Sequence, residues 1–582
     1  MPEPTAPEIL SFDEADARLG GALSAELEAS YEEVLFFDGD LTLHGDFLDA
    51  ISTLRVADQE SDDEDDDEEE GDAELIVVAG NLTVSGRIAL YEDLPGLFVA
   101  GRTEAETLEA GDAEVYIHDG SFTYLVYGEY NHGSLRTGVV STPWVIESDH
   151  AMDVSAPGAV WVDIFGDAGH ADFDRDDIAD VFVPEVVGAE DGELLVDEFL
   201  ERLRAGLPVL LPGARTAGQA VRDLLAQALA DRAEHLDLTG RKLQEFPAAV
   251  LQMPWLRTLI LDGNLIGELP EALGSLTELE VLSACGCGLK ALPESISDLS
   301  RLRVLRVARN YPGDEGALAL PASVGKLAAL EELDISGLSG RTGAPGRPGG
   351  HLPERTRFVL PDSFGSLAAL RRLAADGTNV VFPESAHGMT SVEEVSMSAS
   401  GTGGTFPEAV TAFPNLRRLD LSHNTFGTIP ASLLRLTRLE GLNLDGSLGM
   451  VNEPLPDLGS LPALRVLGFS GHSGHAPVRG YQCLTELLGM ELPGLEELRI
   501  DRWHRDGKRD RLQLTPADLA GLGNFRGLRA LDLSFNRLTD LPPEFGTLGG
   551  LVVIDLRYNQ FPGEVRDRIA AAHPAAQIDF DS

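Results

Sequence analysis

Apolar positions recur with a long period through the last three-fifths of the chain. Leu256, Leu259, Leu261 and Asn264 spell one L-x-x-L-x-L-x-x-N unit. Leu416, Leu419, Leu421 and Asn424 spell another, and Leu528, Leu531, Leu533 and Asn536 a third. Taking the second leucine as a marker gives thirteen units: Leu236, Leu259, Leu282, Leu305, Leu333, Leu373, Val395, Leu419, Leu442, Leu467, Leu498, Leu531 and Ile554. The base spacing is 23 residues, stretched in four places. A fixed period of this length predicts stacked supersecondary units, each too small to fold alone. The L-x-L alternation predicts a short strand with its leucines inward and the intervening residue outward. The Asn is placed to bond the backbone where the chain turns off the strand. A Pro follows an apolar residue later in many units, as in Leu269-Pro270, Leu292-Pro293 and Leu541-Pro542, and is expected to close the return segment.

The first part of the chain has a different rhythm. G-x-L-x-L/V-x-G occurs as Gly39, Leu41, Leu43, Gly45 and again as Gly80, Leu82, Val84, Gly86. Looser copies begin at Gly101, Gly120 and Gly133. Short alternating strands are expected over residues 34–37, 75–79, 97–100, 115–118 and 125–127. Glycine corners and coils of about 20 residues, with no room for helices, predict a parallel β-helix. Residues 190–230 carry apolar side chains at i, i+3, i+4 spacing and read as two amphipathic helices. Residues 564–572 read as a helix followed by a short strand that caps the array.

These patterns resemble two known families. Residues 231–565 resemble the leucine-rich repeats of the typical 23-residue class. Residues 33–150 look like the bactofilin-like, polymer-forming β-helix proteins of bacteria. The expected fold is thus an α/β repeat solenoid, a leucine-rich repeat horseshoe of about 13 units, preceded by an all-β parallel β-helix domain. The expected layout is a helical capping segment over 1–32, an acidic domain over 33–150 with an insertion at 57–74, and a connecting segment over 151–230. The repeats follow over 231–565, and a cap over 566–582. The first resemblance implies a non-enzymatic surface that grips a protein partner through its concave face. The second implies self-association through solenoid ends.

Charge sharpens the division. The net charge is −53, and residues 1–200 hold 51 acidic and 6 basic side chains. The first lysine is Lys242. The run Asp62 to Glu70 (DDEDDDEEE) is expected to be a disordered loop. So acidic a half should repel nucleic acid and membranes and attract a basic protein. A self-assembling scaffold and an acidic immunity-type inhibitor of a basic toxin are therefore carried as alternatives. No apolar run of about 18 residues predicts a membrane span, and the N-terminus lacks a secretory pattern. Cys285, Cys287 and Cys483 are too few for a disulfide framework, and Cys287 falls in the Asn slot of its unit. A cytoplasmic location follows, and the Ala, Gly, Asp and Arg content suggests a GC-rich bacterial source. No cofactor or metal is expected. Asp172, Asp174, Asp176 and Asp180 imitate calcium-loop spacing, but Asp177 stands where that loop needs Gly and Val183 where it needs Glu. Residues 127–133 with His150 bring aromatic and imidazole groups close, which reads as corner packing.

The candidate partner-binding residues flank the marker leucines. They are Asp262, Arg306, Asp334, Arg372, Asp376, Arg418, Asp420, Asp445, Arg499, Asp501 and Asp532. Insertions at 311–318, 339–351, 471–481 and 502–511 are expected to form loops, where binding often resides. The last is the most basic run of the chain. Arg502, Trp503 and Arg505 are its expected contacts, with Trp503 as an aromatic anchor.

Overall fold

The computed structural model describes residues 6–27, 31–56, 74–91, 95–129, 133–166, 171–189, 192–310, 318–338, 357–401, 404–471, 478–503, 505–506, 511–512 and 514–581. The acidic run and the centres of three insertions, 311–317, 339–350 and 472–477, lie outside these residues. The chain divides into two units, residues 1–224 and 225–582, each with its own sheet.

The second unit is built on a 14-stranded sheet. Every strand is parallel to the next, with the markers opposite one another: Leu236, Leu259, Leu282 and Leu305 at one end, Leu531 and Ile554 at the other. All thirteen markers are buried. Irregular spacing does not disturb this register. Leu305, Leu333 and Leu373 are direct neighbours although 28 and 40 residues separate them. The extra residues therefore leave the stack between strands.

Two expectations are corrected. The prolines open a helical turn instead of closing the return segment. The 3-10 helices Glu271–Ser275, Glu294–Asp298, Ala322–Lys326 and Asp362–Ser366 begin directly after Pro270, Pro293, Pro321 and Pro361. Proline suits the start of a helix, where an N–H has no partner anyway and φ is preset. The insertion at 471–481 leads into the helix Val478–Leu488, not a loop only. Its residues Cys483, Leu484, Leu487 and Leu488 are buried in the unit. The end of the chain has the expected helix and strand. After the helix Gly563–Ala572, the strand Gln577–Asp579 pairs in register with Val553–Asp555 as a fourteenth member of the sheet.

In the first unit three stacks of parallel strands share one core. Leu35, Ile76, Leu97, Val115, Leu135 and Met152 follow one another across the first stack. Thr42, Thr83, Glu104, Ser121 and Ser141 define the second. Ile88, Leu108, Val126, Val145 and Trp161 define the third. Leu35, Ile76, Leu97, Leu108, Val126 and Val145 meet in one buried cluster. The strands Ala151–Ser155 and Val160–Asp163 carry the stacks past residue 150, into the expected connector. The corner glycines have a steric cause. A Cβ on Gly80 would lie 2.4 Å from the carbonyl carbon of Gly39, and one on Gly101 2.5 Å from the oxygen of Gly80. Bare backbone is what lets successive turns stack there. The helices Val196–Arg204 and Ala217–Asp231 occupy the predicted amphipathic stretch.

Asp172 and Asp174 use their carboxylates on the backbone N–H groups of Trp161 and Asp176. Among the described residues no group of three or more His, Cys, Asp or Glu is arranged to hold a metal ion. Among them, too, no helix is long and apolar enough to cross a membrane.

Candidate functional site: the exposed face of the repeat sheet

A three-residue strand offers its partner-facing side chains at the positions before and after the buried marker. The acidic members of this face are already engaged by their own backbone. Asp334, Asp420 and Asp532 accept the N–H two residues on, from Ser336, Ser422 and Ser534, at 3.0, 2.9 and 2.8 Å. Asp262, Asp376 and Asp445 do the same for the following unit. They accept from the N–H groups of Cys285, Ser398 and Ser470, each at 2.7 Å. These aspartates fasten the bend where the chain leaves the strand. Burial raises the carboxyl of Asp532 above its usual range, against the lowering effect of its Ser534 bonds.

The arginines are freer. Arg306 meets Glu332 at 2.9 Å, and Arg499 meets Asp445 at 3.0 Å. Arg372 and Arg418 both bind Glu394. Burial alone would raise the Glu394 carboxyl, yet bonds and charge from those two guanidiniums hold it below the usual range. Between these arginines the face sinks into a bay of about 600 Å³ lined by Arg372, Glu394, Arg418, Asp420, Glu440, Arg465 and Arg499. Small residues make the depression: Ala374, Ser396 and Gly441 lie in its floor with Val466.

Trp503 is not an exposed anchor, which corrects that expectation. It is 3% exposed. It lies five residues after the marker Leu498, the slot that Asn fills in other units. Asn264 donates from Nδ2 to Leu238 O at 2.9 Å, and Trp503 donates from Nε1 to the equivalent Phe469 O at 2.9 Å. The indole N–H replaces the amide, so the ring must be inside. Asp501 is also buried, accepting the Ser470 hydroxyl. Arg502 stays at the surface, 3.3 Å from Asp501 and over the Phe535 ring. Arg505 lies in the strand Arg505–Asp506, antiparallel to Arg511–Leu512; its side chain is outside the described residues.

Sequence reasoning missed one column. Two positions before each of the first twelve markers, Glu234, Arg257, Glu280, Arg303, Glu331, Arg371, Glu393, Arg417, Glu440, Arg465, Glu496 and Arg529 alternate without a break. Arg257 reaches Glu234 at 3.2 Å and Glu280 at 2.6 Å, and Arg303 reaches Glu331 at 3.0 Å. Arg417 reaches Glu440 at 2.5 Å, and Arg465 pairs with Glu496. Each exposed rung contributes little by itself, because solvent and salt screen it. Repetition opposes register slips, because shifting by one unit sets like charges opposite. The signal was available once the phase was known.

The cysteines lack the setting of reactive thiols. Burial pushes the Cys287 and Cys483 thiols up to about 11. Cys287 Sγ lies 3.1 Å from Leu261 O, in the role of the absent Asn.

Comparison with known proteins bears on the repeats. A leucine-rich repeat region model matches residues 234–345, and the leucine rich repeat model matches residues 415–436 and 527–548. The TMV resistance protein N of Nicotiana glutinosa is 30% identical over 140 residues, which is 22% of this chain and 12% of that protein. The chain thus spans a small part of that relative. A leucine-rich repeat protein of Leptospira interrogans is 21% identical with a TM-score of 0.36, over 61% of this chain and 98% of that one. TLR13 in its ssRNA13 complex is 16% identical with a TM-score of 0.39, over 87% of this chain and 76% of that one. The family matches place leucine-rich repeats within residues 234–345, 415–436 and 527–548, all inside the span of the in-register parallel sheet. Leucine-rich repeat domains are in general protein–protein interaction modules, and such proteins are typically not enzymes.

Proposed function

We propose that this protein recognises a protein partner on the exposed face of its repeat sheet, with the Arg372–Arg499 bay as the centre of contact. The bay carries the proposal. It is a depression large enough for partner side chains, rimmed by arginines, which are enriched at interface anchors. The insertion around Arg502 and Arg505 extends the same reading toward the end of the array. A nucleic-acid partner fits poorly with a net charge of −53.

The test is affinity capture with the full chain, repeated with the Arg372→Glu/Arg418→Glu double variant and with a charge reversal on the opposite side, Glu271→Arg. A partner recovered by wild type and Glu271→Arg, and lost with the double variant, is the expected result. Equal recovery by all three sinks the proposal.

A second reading concerns the first unit. We read its three parallel stacks as a bactofilin-like β-helix from a bacterial, cytoplasmic protein, whose acidity draws a basic partner or restrains self-association. Light scattering across salt concentration tests this; a strict monomer at high salt removes the scaffold alternative. Recovery of a basic protein that is unchanged by deleting residues 57–73 removes the acidic loop as a lure.

A further inference from the structure

One position of the repeat face lacks a side chain that nothing in the backbone forbids. In the column immediately before the buried marker, Glu332, Arg372, Glu394 and Arg418 stand on successive strands. Arg306 joins this row through Glu332. Charge alternates along it, and one carboxylate, Glu394, serves both Arg372 and Arg418. The row therefore ends on Arg418, whose ion-pair partner among the described residues, Glu394, is shared with Arg372.

The next member of the column is Gly441, directly opposite Arg418 in register. Its φ is outside the left-handed region that would favour glycine. A Cβ there would meet only Arg418 Cγ, at 3.8 Å, an ordinary contact. Gly468, on the following strand, is the contrast. A Cβ at Gly468 would lie 2.4 Å from Asn443 Oδ1 and 2.7 Å from an Arg499 terminal nitrogen, so a side chain there would have to displace both of these side-chain ends. Gly468 makes room for Arg499, whereas Gly441 makes room for something outside the chain.

What surrounds Gly441 selects the chemistry. Arg418 stands on one side, and Arg465 and Arg499 line the same bay. The Nε of Arg499 is buried without a hydrogen-bond partner. Four arginines line the bay with the three acids Glu394, Asp420 and Glu440; Arg465 and Arg499 are paired with Glu496 and Asp445 beside it, whereas Arg418 has only a share of Glu394 among the described ion pairs. Guanidiniums recognise carboxylates by paired, charge-assisted hydrogen bonds. Val466 and Ala374 offer apolar floor for the methylenes of such a side chain.

We infer that the bay over Gly441 receives a glutamate or aspartate side chain of the partner polypeptide, whose carboxylate takes the vacant place in the row beside Arg418. This rests on the reading that the repeat face binds a protein. The incoming acid stands to Arg418 as Glu394 stands to Arg372, and it extends the alternation by one rung. Most of the partner's contact segment is neutral or basic, since the rest of the chain repels anions.

The experiment selects binders from a displayed random peptide library on the full-length protein. The selected peptides are then measured against wild type, Gly441→Glu, Gly441→Gln and Arg418→Gln. The expected peptides share one Glu or Asp, and replacing it with Gln or Asn weakens binding by about tenfold or more. Gly441→Glu, which supplies the carboxylate from within, Gly441→Gln, which fills the same space, and Arg418→Gln should all weaken that preference. Peptides lost with the Arg372→Glu/Arg418→Glu double variant, yet indifferent to their own acid and to Gly441→Glu, overturn the carboxylate but not the binding face. Peptides that survive the double variant, or a failure to select any, overturn the face itself. Thermal melting guards against misfolding. Gly441→Glu should melt above Gly441→Gln at pH 7, with the margin vanishing below about pH 4 as the carboxylate protonates. A Gly441→Glu protein that melts below Gly441→Gln at pH 7 refutes the geometry.

Discussion

Replacing Asn424 with alanine tests how the repeat holds itself together. The side chain is 3% exposed. Its Nδ2 donates to Met397 O at 2.8 Å and Leu421 O at 2.9 Å, and its Oδ1 accepts from Ser400 N at 2.8 Å. The two carbonyls keep other partners, because Ser400 Oγ also donates to Met397 O and Ser447 Oγ to Leu421 O. The Ser400 N–H loses its amide acceptor within a buried site. One orphaned buried donor costs about 1–3 kcal/mol, and two lost but partly replaced bonds add about 1 kcal/mol more, so the expected loss is about 2–4 kcal/mol. Asn424→Ser should recover about half of this. In the next unit Ser447 already does both jobs, donating to Leu421 O at 2.6 Å and accepting from Asn424 N at 2.9 Å. Urea unfolding measures the loss, and amide hydrogen exchange locates it. Because each unit touches only its neighbours, protection should fall around residues 395–447 and persist around residues 235–310. An alanine cost below about 0.5 kcal/mol, or a serine no better than alanine, would refute the account.

Other perturbations probe the remaining contacts. Gly80→Ala should destabilise the first unit by about 1–3 kcal/mol, since the new Cβ meets backbone 2.4 Å away, and a melting temperature equal to wild type contradicts the stacked-corner explanation. Glu394→Gln should cost about 0.5–1 kcal/mol at neutral pH, a modest figure because both arginine partners are more than half exposed. Its folded-state carboxyl lies below the usual range, so the stabilisation is complete above about pH 5 and lost as the pH falls through the folded value; the gap to wild type should close on acidification, and a gap constant from pH 7 to 3 argues against the pairing. Cys287 and Cys483, buried and pushed up to about 11, should resist alkylation at pH 8 in the native protein and react fully in denaturant; labelling at a free-thiol rate in native buffer would contradict their burial.

Much of this architecture can be read from period alone. A marker at a base spacing of 23 residues identifies each strand, and an Asn five positions later, present in five of the thirteen units, identifies the bend there, because the buried leucine and the amide that bridges to the preceding unit are local features. The same phase would have placed Trp503 inside, five residues after Leu498, and would have shown the Glu–Arg alternation two residues before each of the first twelve markers. Those were legible but were obscured by reading residues for their chemical type before their register. The last strand, Gln577–Asp579, is expected from the short run after the final helix, and the structure adds its register against Val553–Asp555.

By itself, then, the sequence determined the repeat, its inward leucines, the glycine corners of the first unit and the split in charge, all of which depend on local pattern. Tertiary structure decided which polar groups are spent and which are available. Asp420 and Arg418 are two residues apart, yet the former caps its own bend while the latter reaches across a strand to share Glu394. Gly441 and Gly468 look alike in one dimension. Only the packing of neighbouring strands shows that one glycine is crowded by the Arg499 and Asn443 side chains and the other leaves a space open, because side chains that meet across a parallel sheet come from units more than 20 residues apart.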